Sequence, residues 1–250
     1  MSLPFIIWTM RRTGGTTLTN LLMAFSDRPK LEHEPFNFDR ELGPIARNFS
    51  ATKDVPTLKA QLREVLAAGP SIKHCYELAS TDFNRILMQL TNKLGYRHIV
   101  LTRNDEAGRL LSLELAKITG VWGKHGATDR YQAVNDGKVQ LPPLDVELLL
   151  GHQRACRRMT REVEANFTRL GISPIRIAFE DIYADPEAGR ERVRALCAAL
   201  EIVPDDAEDF ETQLMIALRE KGQNTAAIYA AVPNLAEARE AVAAAMARDG

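Results

Sequence analysis

The sequence predicts an α/β fold, with a central parallel sheet flanked by helices in three layers. Two observations predict it. Four short runs rich in β-formers, 5–8, 72–76, 97–102 and 175–179, are each separated from the next by apolar residues at helical spacing, and that alternation gives a parallel sheet. The first run, Phe5-Ile6-Ile7-Trp8, is apolar at every position, as a strand covered on both faces must be.

In chain order, the first strand is followed by the turn Arg11–Gly15 and by Leu18, Leu21, Leu22 and Phe25 on one helix face. Residues 27–37, with Pro29 and Pro35, form a loop, and 38–56 has too little periodicity to assign. Leu58, Leu62, Val65 and Leu66 mark a helix that stops at Gly69-Pro70. After the second strand, Phe83, Ile86, Leu87, Leu90 and Leu94 mark a helix closed by Gly95. The third strand, Arg97–Thr102, ends in Arg103-Asn104, and Leu110–Ile118 is helical. The stretch 123–143 is polar, aperiodic and long for a plain loop, which suits a substrate loop or lid. Leu144–Leu170 is one long helix, and 175–179 is the fourth strand. Asp185 and Pro186 are the N-cap and first residue of a helix carrying Val193, Leu196, Cys197 and Leu200. Helical segments at 206–220 and 234–248 flank Lys221-Gly222-Gln223-Asn224-Thr225. Without repeats or a linker, 1–250 is expected to be a single domain.

Bulk properties narrow the function. The chain is 45% apolar and 26% charged with a net charge of −1, so no general attraction to nucleic acid or an anionic membrane is expected. Cys75, Cys156 and Cys197 have neither metal-ligand spacing nor a disulfide framework, which suits a reducing compartment. No apolar run approaches the ~20 residues that span a bilayer. The short run Phe5–Trp8, with an arginine pair after it, is not expected to act as a signal peptide. A soluble cytoplasmic protein without a transmembrane segment, a metal or a nucleic-acid partner is expected.

Two motifs fall at the C-terminal ends of strands, where parallel sheets bind ligands. The first is Arg11-Arg12-Thr13-Gly14-Gly15-Thr16-Thr17. Glycines admit close backbone approach, amides at a helix start point outward with the positive end of the dipole, and threonines and arginines add donors and charge. A plain strand-to-helix turn with a threonine cap is the simpler alternative. The motif lacks the lysine and glycine spacing of a Walker loop, which argues against a magnesium-bound nucleoside triphosphate. The second motif is Arg103-Asn104, with Ser112 in the helix that follows.

Arg12, Thr13, Gly14, Gly15 and Thr16 resemble the 5′-phosphosulfate loop of sulfotransferases that use 3′-phosphoadenosine-5′-phosphosulfate (PAPS), with Gly15 in place of a hydroxyl residue. Arg103 and Ser112 resemble the pair that binds the 3′-phosphate in that family. The run from Arg103 to Thr119-Gly120-Val121-Trp122, and Glu34-Pro35 after the first helix, resemble the bacterial carbohydrate, trehalose-type members. Phe179-Glu180-Asp181-Ile182 with Asp185-Pro186 is similar to a structural segment common in sulfotransferases.

The resemblance implies a P-loop-like fold and sulfuryl transfer from PAPS to a hydroxyl of a small-molecule or glycan acceptor. The product is 3′-phosphoadenosine-5′-phosphate (PAP), no metal is needed, and a homodimer is implied. Arg11, Arg12, Thr13, Gly14, Gly15, Thr16 and Thr17 would hold the 5′ end, with Arg12 (Arg11 as second choice) on the leaving phosphate oxygen. Arg103 and Ser112 would hold the 3′-phosphate. Glu34 would be the base, its pKa raised by burial, and His33 the reserve. Two other readings stay open: a P-loop kinase or nucleotide-binding protein, and an inactive sulfotransferase-like binding module.

Arg154, Arg157, Arg158 and Arg161 share one face of the long helix, either solvated and bridged to Glu162 and Glu164 or facing an acidic substrate or partner. Trp8 and Trp122 read as core or pocket wall. Lys221–Thr225 is either a loop that closes over the nucleotide or an ordinary linker.

Overall fold

The computed structural model describes residues 1–122, 127–219 and 226–248. Its central sheet has four parallel strands, β1 (Phe5–Thr9), β2 (Ile72–Cys75), β3 (Arg97–Thr102) and β4 (Ile175–Ala178), in the order β2-β1-β3-β4. The helices are α1 (Gly15–Phe25), α2 (Gly43–Thr52), α3 (Val55–Leu66), α4 (Thr81–Lys93), α5 (Glu106–Thr119), α6 (Ala127–Asn135), α7 (Val146–Leu170), α8 (Phe179–Tyr183), α9 (Pro186–Ala199), α10 (Ala207–Arg219), α11 (Ala226–Tyr229) and α12 (Leu235–Arg248).

Contacts group the chain into two compact units. One comprises Met1–Asn104 and Met159–Glu220, the other Asp105–Arg158 and Lys221–Gly250. The first unit holds the sheet. Every residue of β1 is buried, as its unbroken apolar sequence requires. Alternation along the strands divides the core. On one face Phe5, Ile7, Ile99, Leu101 and Ile177 pack with Leu18 and Leu22 of α1, Val193 and Leu196 of α9, and Phe210 and Leu214 of α10. On the other, Trp8 meets His74, His98 and Phe167 edge-on or stacked, and His74 and Phe36 meet Phe83 of α4.

The second unit, by itself, packs α12 on α5 and α11 on α6. The Asn234 side chain closes it by accepting from the Leu144 amide and donating to the Leu144 carbonyl. Arg109 on α5 is 1% exposed, with Glu106 forked onto its guanidinium and Cys156 Sγ at 3.3 Å.

Three stretches gain detail. The unassigned stretch 38–56 contains α2, which buries only Gly43, Ala46 and Phe49 and so shows little apolar period. The stretch 123–143 contains α6, on which Tyr131 and Val134 are buried, with Leu141 beyond it. The fourth strand stops at Ala178, where the Asp181 carboxylate accepts from the Ala178 amide and starts α8.

The strand order locates a binding edge. The chain leaves β1 for β2 on one side, and from β3 for β4 on the other. The connections therefore diverge at the carboxyl ends of β1 and β3, the place where open α/β sheets bind ligands. The β1–α1 turn and Arg103 both emerge there.

Candidate active site

The β1–α1 turn is shaped by two left-handed residues, Arg12 at φ 67° and Gly14 at φ 76°. A Cβ on Gly14 would lie 2.5 Å from the Phe179 ring, so both torsion and space demand glycine. α1 has no side-chain cap and no acidic residue in its first turn, where the helix dipole is positive. The buried Thr13 hydroxyl donates to the Met10 carbonyl at 2.7 Å and braces the turn from inside. Thr16 is exposed and Thr17 half-buried at the start of α1.

Gly15 is explained by a residue the sequence reading passed over. A Cβ there would sit 3.1 Å from Leu101 Cδ2 and 3.2 Å from Lys73 Cε. Lys73 pairs in register with Ile7, so its side chain runs along the face that α1 covers. Its stem fills the space that a hydroxyl residue at 15 would need. Its Nζ donates to Thr16 Oγ1 at 3.2 Å and to Glu34 Oε1 at 2.6 Å. Strand β2 thus brings to the turn a lysine that the loop itself does not carry.

Glu34 is held from three sides. Besides Lys73, Asn37 Nδ2 donates to Oε2 at 2.6 Å, and the Cys75 thiol donates to the carboxylate. Burial pushes the Glu34 pKa up, but the Lys73 charge and the hydrogen bonds from Lys73, Cys75 and Asn37 outweigh it and hold it at about 2. This corrects the expectation of a raised pKa: with Lys73 beside it, Glu34 is a fixed carboxylate and a weak base. Glu34 also has φ 56°. Arg12 and Glu34 are thus both non-glycine residues in the left-handed region, and such strain collects at functional sites.

His33 is set apart. Its Nε2 pairs with Asn20 Oδ1 at 2.6 Å, and its Nδ1 is buried without a partner among the described residues. Burial, then the nearby Lys73 charge, lowers its pKa, so the ring is neutral at pH 7. Arg11 also turns away from the cradle, because its amide and Nε both donate to Glu77 Oε1 at 2.8 Å. Arg12 sits in the turn itself, in the left-handed region.

Arg103 reaches the same turn. Its Nη1 donates to the Arg12 carbonyl at 3.3 Å, and its guanidinium lies over the Phe179 ring, 5.0 Å from the centroid. Phe179 therefore packs against both Gly14 and Arg103. Glu180 accepts from the Asn104 amide at 3.0 Å and fixes the end of β3. Ser112 belongs to the other unit, buried on α5. The structure therefore brings together the β1–α1 turn, Lys73, Glu34, Asn37, Arg103 and Phe179.

The remaining candidates fall elsewhere. Trp8 is core, with Nε1 donating to His98 Nδ1 at 3.0 Å, whereas Trp122 is half exposed. Arg154, Arg158 and Arg161 are exposed, while Glu162 is engaged by Thr81 and Glu164 by Arg176. Lys221–Thr225 lies outside the described residues, as does 123–126. No helix among the described residues is long and apolar enough to cross a membrane.

Comparison with known proteins adds three findings. The model of the family described as Stf0 sulphotransferase matches residues 43–228, well over half of the chain. That span includes Lys73, Arg103 and Ser112 but begins after the cradle and Glu34. A solved structure, the crystal structure of a sulfotransferase from Alicyclobacillus acidocaldarius, is similar with a TM-score of 0.43 and 15% identity, over 92% of this chain and 95% of that one. No curated protein matches the sequence.

Proposed function

The chain belongs to the Stf0 sulphotransferase family, and on that premise we propose that it transfers a sulfuryl group from PAPS to a hydroxyl of a carbohydrate or glycolipid acceptor, releasing PAP. One observation carries the reading. The β1–α1 turn and a carboxylate converge on one buried cation, the Lys73 ammonium, 3.2 Å from Thr16 and 2.6 Å from Glu34, at the carboxyl edge of the sheet. Cys75, Cys156 and Cys197 are buried and outside any disulfide, which favours a cytoplasmic setting.

The residues present fit such a donor. The cradle is uncapped, its glycine cannot be replaced without a clash, and positive side chains flank it. The amides that open α1, with Thr16 and Thr17, would bind the 5′-phosphosulfate, and Arg12 would steady charge on the leaving phosphate oxygen. Lys73 would face the sulfonate. Arg103, braced by Phe179, would hold the 3′-phosphate. PAPS supplies the sulfuryl group, whose sulfur gains a bond to the acceptor oxygen as its bond to the phosphate oxygen breaks. Glu34 would take the acceptor proton, held in line by Asn37 and Cys75.

The test is transfer of labelled sulfuryl from PAPS to a panel of sugars and glycolipids by the wild type and by Glu34→Gln. The reading expects product from the wild type, and a variant that still binds PAP but turns over at least ~100-fold more slowly, the scale of general-base catalysis. Unimpaired turnover by Glu34→Gln would remove Glu34 from the role of base.

A further inference from the structure

Lys73 has two partners that belong to different halves of the reaction. Thr16 is part of the donor cradle, and Glu34 faces the acceptor's proton. The ammonium cannot wander far, because its stem is clamped between Gly15 and the sheet and the side chain is 5% exposed. Glu34, by contrast, keeps Asn37 at 2.6 Å and the Cys75 thiol whether or not the ammonium stays. An anion arriving in the cradle beside Thr16 would therefore draw Lys73 off Glu34 without releasing the orientation of the carboxylate.

We propose that Lys73 is a coupling switch, in which the donor's sulfonate and the Glu34 carboxylate compete for one ammonium, so that Glu34 becomes an effective base only when the donor is in place. This rests on the PAPS assignment made above. Without donor, the ion pair ties up the Oε1 lone pairs and favours the ionised form, so Glu34 has little tendency to take a proton. With donor, the ammonium turns to the sulfonate, Glu34 is left buried with two neutral hydrogen bonds, and its affinity for the acceptor proton rises. Asn37 and Cys75 are positioning residues in this scheme, since they act on the acceptor only through Glu34.

Coupling of this kind is reciprocal. If the sulfonate weakens the hold of Lys73 on Glu34, removing the Glu34 charge must strengthen the hold of Lys73 on the sulfonate. Glu34→Gln, which keeps size and the Asn37 contact, should therefore bind PAPS tighter than the wild type does.

The experiment is calorimetric titration of PAPS and PAP into the wild type, Glu34→Gln, Glu34→Ala and Glu34→Gln/Lys73→Met. Circular dichroism checks that each is folded. The expected result is PAPS affinity raised roughly 5- to 150-fold in both single variants, the usual range of coupling between sites, with a much smaller change for PAP, which lacks the sulfonate. The gain should vanish in the double variant. Equal or weaker PAPS binding by the folded single variants, with PAP binding intact, overturns the switch while leaving the donor assignment standing. A gain that persists without Lys73 overturns it too. Failure of the wild type to bind either ligand removes the donor assignment and the switch with it.

Discussion

Replacing Lys73 by methionine isolates the ion pair, because methionine keeps much of the stem's volume and loses the charge. In the wild type Glu34 titrates at about 2 instead of 4.5, a difference of about 2.5 units, which corresponds to about 3 kcal/mol of stability near neutral pH. The folded-state pKa lies below the unfolded one. The contribution is therefore fully present above about pH 4.5 and is lost as pH falls toward 2. By pH 3 roughly 2 kcal/mol of it is already gone by the same linkage. In Lys73→Met burial has no counter-ion to oppose it, so Glu34 shifts upward and the variant loses this stability at pH 7. The assay is urea unfolding of both proteins at pH 3 and pH 7. Lys73→Met should be less stable by about 3 kcal/mol at pH 7, with the gap narrowing by at least ~2 kcal/mol at pH 3. A gap of equal size at both pH values would mean that the lysine matters only for packing, and the electrostatic reading of Glu34 would fail.

Two further substitutions test the donor site. Arg103→Ala should weaken PAP binding roughly 10- to 150-fold, the value of one or two hydrogen bonds to a charged group, while leaving adenosine 5′-phosphate nearly unaffected; equal loss for both ligands in titration calorimetry would sink the 3′-phosphate assignment. Gly15→Ser should not improve the enzyme, although it restores the hydroxyl of the resembled loop. Its Cβ would press on Leu101 and Lys73 at 3.1 and 3.2 Å, costing roughly 1–3 kcal/mol in thermal unfolding and lowering turnover. A variant as stable as the wild type with faster turnover would contradict that packing argument.

What the sequence revealed follows from where burial is complete. β1 was legible because all its residues are covered, so it is apolar throughout, α4 because its apolar stripe ends at Gly95, and α9 because Asp185 and Pro186 start a clean apolar stripe. α2 and α6 were not legible, because each buries too few side chains to print a period. Within the site, the glycines and the arginine pair pointed to a strand-to-helix turn suited to an anion, and Glu34 was singled out by its resemblance to the trehalose-type members. Lys73 was hidden in a strand, where Ile72-Lys73-His74-Cys75 reads as mixed polarity. The signal was nevertheless available: a parallel strand covered on both faces can carry a lysine only if a buried partner meets it. The pKa of Glu34 was misjudged for the same reason, since its sign depends on a residue far away in sequence. The engagement of Arg11 by Glu77 was hidden too, because the two are far apart in sequence.

The central claim is that this edge of the sheet binds a donor with a 3′- and a 5′-anion, and not a magnesium nucleotide. Thermal unfolding of the wild type with PAP, Mg-ATP or Mg-GTP tests it most directly. At about 100 times its Kd, PAP should stabilise the protein by about 2.7 kcal/mol, raising Tm by roughly 5–11 °C for a chain of this size, while the two magnesium nucleotides leave Tm unchanged. A rise with Mg-ATP or Mg-GTP and none with PAP would contradict the account.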